Sequence, residues 1–126
     1  MFTYTLTWLV REIIFYRTES GGCPIEEFLD GLTPQQARKV AWVLQLIEEL
    51  DVVPVQYFKK LVNTDGIWEV RIPSGGNIFR LLGFLERGNV VILTHGFQKK
   101  TQETPRKEIK LAENRKKEYL KRRHSQ

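Results

Sequence analysis

A chain of 126 residues holds one domain with one modest core and is too short for two. Hydrophobic residues at 41% and charged residues at 28% exclude wholesale disorder, no run of about 18 apolar residues offers a membrane span, and a single cysteine, Cys23, excludes an intramolecular disulfide or a cysteine metal cluster and fits a reducing cytosol. The net charge of +5 is uneven: residues 99–126 hold 11 Lys and Arg against 4 Glu, net +7, leaving 9 basic against 11 acidic, net −2, for residues 1–98, so an anionic partner is expected to meet the C-terminal segment.

Residues 1–11 stand as an N-terminal extension before the first convincing element. They lack the basic start and small-residue cleavage site of a signal peptide. A single domain is expected over residues 12–126. Ile13 to Tyr16, β-branched and aromatic, predicts a first strand, which Ser20-Gly21-Gly22 breaks. After Pro24, Ile25, Phe28 and Leu29 recur at helical spacing, with Glu26 and Glu27 in the first turn and Gly31 as the stop. Thr33, Pro34 and Gln36 are cap, first helical proline and capping-box partner of a second helix that runs to about Leu50. Its apolar stripe is Ala37, Val40, Ala41, Leu44, Ile47 and Leu50. Trp42, Val43 and Leu46 widen that stripe, which predicts a second contact, with the preceding helix or with a partner.

Ile67 to Phe97 reads as three strand-like runs separated by Gly75-Gly76 and Gly88-Asn89, dipeptides that favour two-residue hairpin turns. A meander with those turns sets Arg71 opposite Arg80 and Glu69 opposite Leu82, then Leu82 opposite His95 and Arg80 opposite Phe97. Residues across a ladder share a face, so Glu69, Arg71, Arg80 and His95 fall on one side of the sheet. Two opposed arginines cost stability unless an anion lies between them, and an RNA phosphate is the anion expected there. Beyond a polar loop from Gln98 to Glu103, Thr104-Pro105 predicts the start of a last helix to about Arg122, with Ile109, Ala112, Tyr119 and Leu120 as a thin apolar seam. Arg106 and Lys107 sit in its first turn, where the helix dipole disfavours cations, and so point to a functional use.

Breaking an RNA strand by its own 2′-hydroxyl needs a base, cations around the phosphorane and an acid for the 5′-oxygen. Glu69 is the candidate base, Arg71 and Arg80 the clamp, and His95, Lys99 or Lys100 the acid. At about 4.8 Å between strands, Glu69 and His95 are expected to flank a phosphate-sized gap. Lys59, Lys60, Phe97, Arg106, Lys107 and Lys110 are candidate RNA contacts; Tyr57 and Trp68 could also stack bases, although Trp68 alternates with Glu69 and should face the helices. His95 and His124, far apart in sequence, give no metal site, and no cofactor is expected.

Over residues 12–120 the chain resembles the RelE superfamily of type II toxin–antitoxin toxins, in particular its phage-derived HigB-like branch. The resemblance rests on CPIEEFLDGL, on KKL followed by IWEVRIPSGGNIFRLLGF, and on LTHGFQKKTQETPRKEIKLA, in that order. It implies an α+β fold, two N-terminal helices packed on an antiparallel sheet with a C-terminal basic helix. It further implies a cytoplasmic, ribosome-dependent endoribonuclease that cuts mRNA, and a helix-turn-helix antitoxin as partner. By position, Arg80 matches the arginine that binds the scissile phosphate and Arg71 a basic residue on the preceding strand. Glu69 falls where members place a lysine, or near a glutamate that serves as base. His95, Lys99 and Lys100 lie where the family's acid varies, and the family's terminal tyrosine has no counterpart here beyond Tyr119 in the last helix. Two rivals stay open: a non-catalytic RNA- or ribosome-binding protein, and a protein-interaction module built on the second helix.

Overall fold

The computed structural model describes residues 9–99, with the backbone alone at Lys99, and 102–125. Its elements run β1 (Glu12–Phe15), α1 (Pro24–Asp30), α2 (Pro34–Glu49), β2 (Phe58–Lys60), β3 (Ile67–Ser74), β4 (Asn77–Glu86), β5 (Val90–Lys99) and α3 (Arg106–His124). The strands form one sheet in the order β1-β5-β4-β3-β2. The expected antiparallel sheet is corrected to a mixed one, because β1 lies parallel to β5 while every other pair is antiparallel. Hairpin turns announce antiparallel neighbours. A parallel neighbour arrives only by a crossover, here through both N-terminal helices, and carries no local turn signal.

The meander keeps its expected register by a route the turns alone did not predict. Gly75-Gly76 is a two-residue turn between Ser74 and Asn77, with Gly75 at φ 60°, as the first central residue of a II′ turn requires. The second turn holds three residues, because Glu86 pairs with Val90, and Arg87 and Gly88 both take positive φ. That shift of one residue is reversed inside the sheet by a bulge: Gly83 pairs with Leu93 but Leu82 pairs with His95, so Thr94 is the extra residue. Its hydroxyl donates to the Leu82 carbonyl at 3.1 Å, and Arg115 of α3 donates to the Thr94 carbonyl at 3.2 Å. The bulge places Ile92 and His95 on the same face.

Both faces of the sheet are covered. On one, Ile25 of α1 and Val40, Val43 and Ile47 of α2 pack on Val70, Ile72, Phe79, Leu81, Val91 and Leu93. On the other, α3 lays Ile109 and Ala112 on Ile67 and Leu82, and Tyr119 on Phe84. The expected site face is therefore half apolar and roofed by the basic helix. The capping box at Thr33 and Gln36 forms as expected. The α2 stripe turns further than expected: Val43 is fully buried, Ala41 is exposed, and Trp42 stands edge-on to Tyr57 beneath the Lys39 ammonium. Arg11, the last residue of the extension, is tied to α2: its guanidinium donates to the carbonyls of Ile47, Leu50 and Asp51 at the negative end of that helix. Residues 1–8 of that extension lie outside the described residues.

Candidate functional site

Arg71 and Arg80 face each other across β3 and β4, and Glu69 sits two residues along β3 on the same face. The Glu69 carboxylate bridges them, with Oε1 at 3.6 Å from Arg71 Nε and Oε2 at 3.8 Å from Arg80 Nη1. So the anion between the opposed arginines is supplied by the chain itself, where a phosphate was expected. Arg80 is fully buried and Glu69 is 2% exposed, while Arg71 is half-buried at the rim. Charges this deep persist only when paired and hydrogen-bonded. The segment entering α3 completes the pairing. Arg80 Nη2 donates to the Gln102 carbonyl at 3.0 Å, Arg80 Nη1 lies 3.5 Å from the Thr104 hydroxyl, and that hydroxyl donates to Glu69 Oε2.

Beside this cluster opens a groove of about 370 Å³, lined by Lys59, Lys60, Glu69, Thr104, Arg106 and Ile109 among others. Lys59 and Lys60 project from the short edge strand β2, and Lys59 pairs with Glu69 across the ladder. Arg106 stands on the opposite wall, in the first turn of α3, whose N-cap Pro105 provides no side-chain hydrogen bond. Arg106 also borders a smaller recess with Lys107, Lys110, Asn63 and Glu113. Three exposed cations, Lys59, Lys60 and Arg106, against one exposed acid, Glu103, leave the rim net positive over a carboxylate floor, which suits a ligand that carries negative charge along its length and a hydroxyl between.

His95 lies apart from that cluster. Leu82 stands between it and Glu69 in register, under Ala112 and Ile109, so the expected gap between base and acid is filled by apolar packing. The imidazole is buried, with Nδ1 at 3.0 Å from the Thr94 hydroxyl and Nε2 at 3.1 Å from Glu108 Oε1, and its ring stacks on Phe97. Phe97 is thereby part of the packing under α3, although only half-buried. Burial holds the His95 pKa below its ordinary 6.5, Arg115 acts the same way, and Glu108 opposes both. Above pH 6.5 the ring is neutral folded and unfolded. Below it the unfolded chain binds the proton first, so stability falls as pH drops from 6.5 toward the depressed folded value. We expect the unfolding free energy from urea titrations to fall by up to about 1.4 kcal/mol per pH unit in that window and the slope to flatten in His95→Asn; parallel profiles for the two proteins would contradict this account.

Of the other expected contacts, Tyr57 and Trp68 belong to the opposite face, Trp68 stacked on Phe58 at 4.7 Å as the alternation with Glu69 requires. The Lys99 side chain and Lys100 lie outside the described residues. Gln102, Thr104 and Glu108 were missed as site residues. Thr104-Pro105 reads as a helix start, and the cue that the threonine is diverted is only that a proline serves as N-cap without a side-chain bond. A family model described as phage-derived protein Gp49-like matches residues 27–117 of the chain. No curated protein matches it.

Proposed function

We propose, for a chain that belongs to the phage-derived Gp49-like family, the role of a toxin of a type II toxin–antitoxin pair, a ribosome-dependent endoribonuclease of the RelE and HigB kind that cuts mRNA in the cytoplasm and stops translation. The observation that carries this reading is the Glu69 carboxylate held between two arginines at the floor of a groove walled by Lys59, Lys60 and Arg106. In the reaction, Glu69 takes the 2′-hydroxyl proton, the 2′-oxygen bonds to phosphorus, and the bond from phosphorus to the 5′-oxygen breaks. A 2′,3′-cyclic phosphate and a 5′-hydroxyl result. Arg71 and Arg80 offset the charge that grows on the phosphorane. The proton for the leaving oxygen falls to Lys99 or Lys100, which follow Phe97, the residue across the ladder from Arg80. All these protons and charges come from side chains, so the scheme calls on no metal. The basic face of α3 holds ribosomal RNA through phosphate contacts that weaken with salt. A helix-turn-helix antitoxin is the partner that keeps the toxin silent.

The closure of Arg80 under Gln102 and Thr104 favours a second reading, a ribosome- or RNA-binding protein that uses only its surface cations. Inducible expression with mapping of new mRNA 5′-hydroxyl ends separates the two, wild type against Glu69→Gln, with urea unfolding of the purified variant to establish that it is folded at the growth temperature. The first reading expects ends confined to translated frames in the wild type and absent from the variant. Growth arrest without new ends selects the second. Ends outside translated frames remove the ribosome, and normal growth with intact mRNA removes the toxin.

A further inference from the structure

We infer that Thr104 and the Gln102 carbonyl form an intrasteric latch on the Glu69–Arg80 pair, standing where the 2′-hydroxyl and a phosphate oxygen of a ribonucleotide would stand. This deepens the proposed function and rests on it. Three contacts carry the inference. The Thr104 hydroxyl gives its proton to Glu69 Oε2, as an attacking 2′-hydroxyl would. The Thr104 hydroxyl oxygen lies 3.5 Å from Arg80 Nη1, and the Gln102 carbonyl accepts from Arg80 Nη2 at 3.0 Å, as a phosphate oxygen would. Thr104 does this instead of capping α3, whose N-cap position holds Pro105 with no side-chain hydrogen bond. Gln102 and Glu103 are exposed, and Gln102 to Thr104 form one wall of the groove that Lys59, Lys60 and Arg106 also line. Displacing that wall would extend the groove, which already reaches Glu69, to Arg80.

The latch has two consequences. Substrate competes with Thr104 for Glu69 and Arg80, so apparent affinity is lowered by the closed fraction. It also selects RNA over DNA. Only a strand that carries a 2′-hydroxyl replaces the hydrogen bond that Glu69 loses on opening, and a deoxy strand leaves that carboxylate without it.

The test reads Arg80 itself rather than cleavage. Phenylglyoxal, which modifies accessible arginines, is applied to the folded full chain, and labelling is quantified by peptide mass spectrometry with exposed Arg38 of α2 as internal reference. Thr104→Ala is expected to raise the Arg80 rate, relative to Arg38, by about tenfold or more, the effect of losing one hydrogen bond to a charged group on an opening equilibrium. Thr104→Ser, which keeps the hydroxyl, should label like the wild type. Thr104→Val keeps the volume and should label like Thr104→Ala, so a folding defect in the alanine variant does not decide the matter. In the opened variants a short RNA should protect Arg80 more than the DNA of the same sequence. Equal Arg80 rates in all four proteins, or a serine variant as open as the alanine variant, overturn the latch, even if cells still show mRNA cleavage by the wild type. Unmasking of Arg80 that neither oligomer reverses keeps the covering contact and overturns the ribonuclease reading instead.

Discussion

Arg80→Ala should lower the unfolding free energy by about 3–5 kcal/mol, the cost of removing one partner from a buried ion pair. Arg80 is fully buried and Glu69 2% exposed, so the carboxylate that remains keeps only half-buried Arg71 as counter-charge, while the Gln102 carbonyl loses a donor. For a domain whose total stability is of order 5–15 kcal/mol, that loss removes much of the folded population at growth temperature. Loss of toxicity in this variant alone therefore says nothing about chemistry. The informative comparison is the double variant Glu69→Gln with Arg80→Met, which removes both charges at similar volume. Replacing a whole buried pair by neutral groups is often close to neutral, so urea unfolding should return most of the lost stability. Under the proposed function, cleavage should stay absent in that refolded protein. An Arg80→Ala protein with the wild-type midpoint would show that the pair contributes no stability and that the single variant is a clean probe of activity.

Gly83→Ala should be as damaging, for a steric reason. A Cβ at Gly83 would stand 2.2 Å from the Ile92 carbonyl oxygen and 3.0 Å from Leu93 Cα, both backbone atoms in the adjacent strand at the bulge. Neither can turn aside as a side chain would. Strands β4 and β5 must part, or the bulge must be shed. Without the bulge Thr94 enters the ladder, and His95 turns from α3 toward the helices on the other face. We expect a loss beyond the roughly 1–3 kcal/mol of ordinary overpacking, with amide protection falling first along β4 and β5. Gly76→Ala is the control: its Cβ meets nothing within 4 Å and its φ is not in the positive region, so the change should stay within about 0.5 kcal/mol. A Gly83→Ala midpoint equal to that of Gly76→Ala would remove the steric account of the bulge.

Thr33 and Gln36 three apart announce a capping box, and the box forms. Gly75-Gly76 announces a two-residue turn, which sets Arg71 opposite Arg80 as expected. The second hairpin is a subtler case. Its turn is one residue longer than Gly88-Asn89 suggested, and Leu82 meets His95 only because the bulge at Thr94 takes up the difference. Gly83 was the available cue, since a glycine inside a strand marks a bulge or a close backbone approach.

The chain by itself determined its helices, its hairpins and the face shared by Glu69, Arg71, Arg80 and His95. These follow from side-chain period, turn chemistry and pairing between neighbours in sequence. Only the tertiary structure decided what covers that face. The parallel docking of β1 on β5, the seating of α3 over Leu82 and the diversion of Thr104 onto Glu69 join residues 27 or more apart. No local preference encodes such contacts; they arise because Ile67, Leu82 and Phe84 must be buried and because two opposed arginines need an anion. The composition of the face called for that anion, and packing supplied it from within as Glu69, with Thr104 as its closest hydroxyl neighbour.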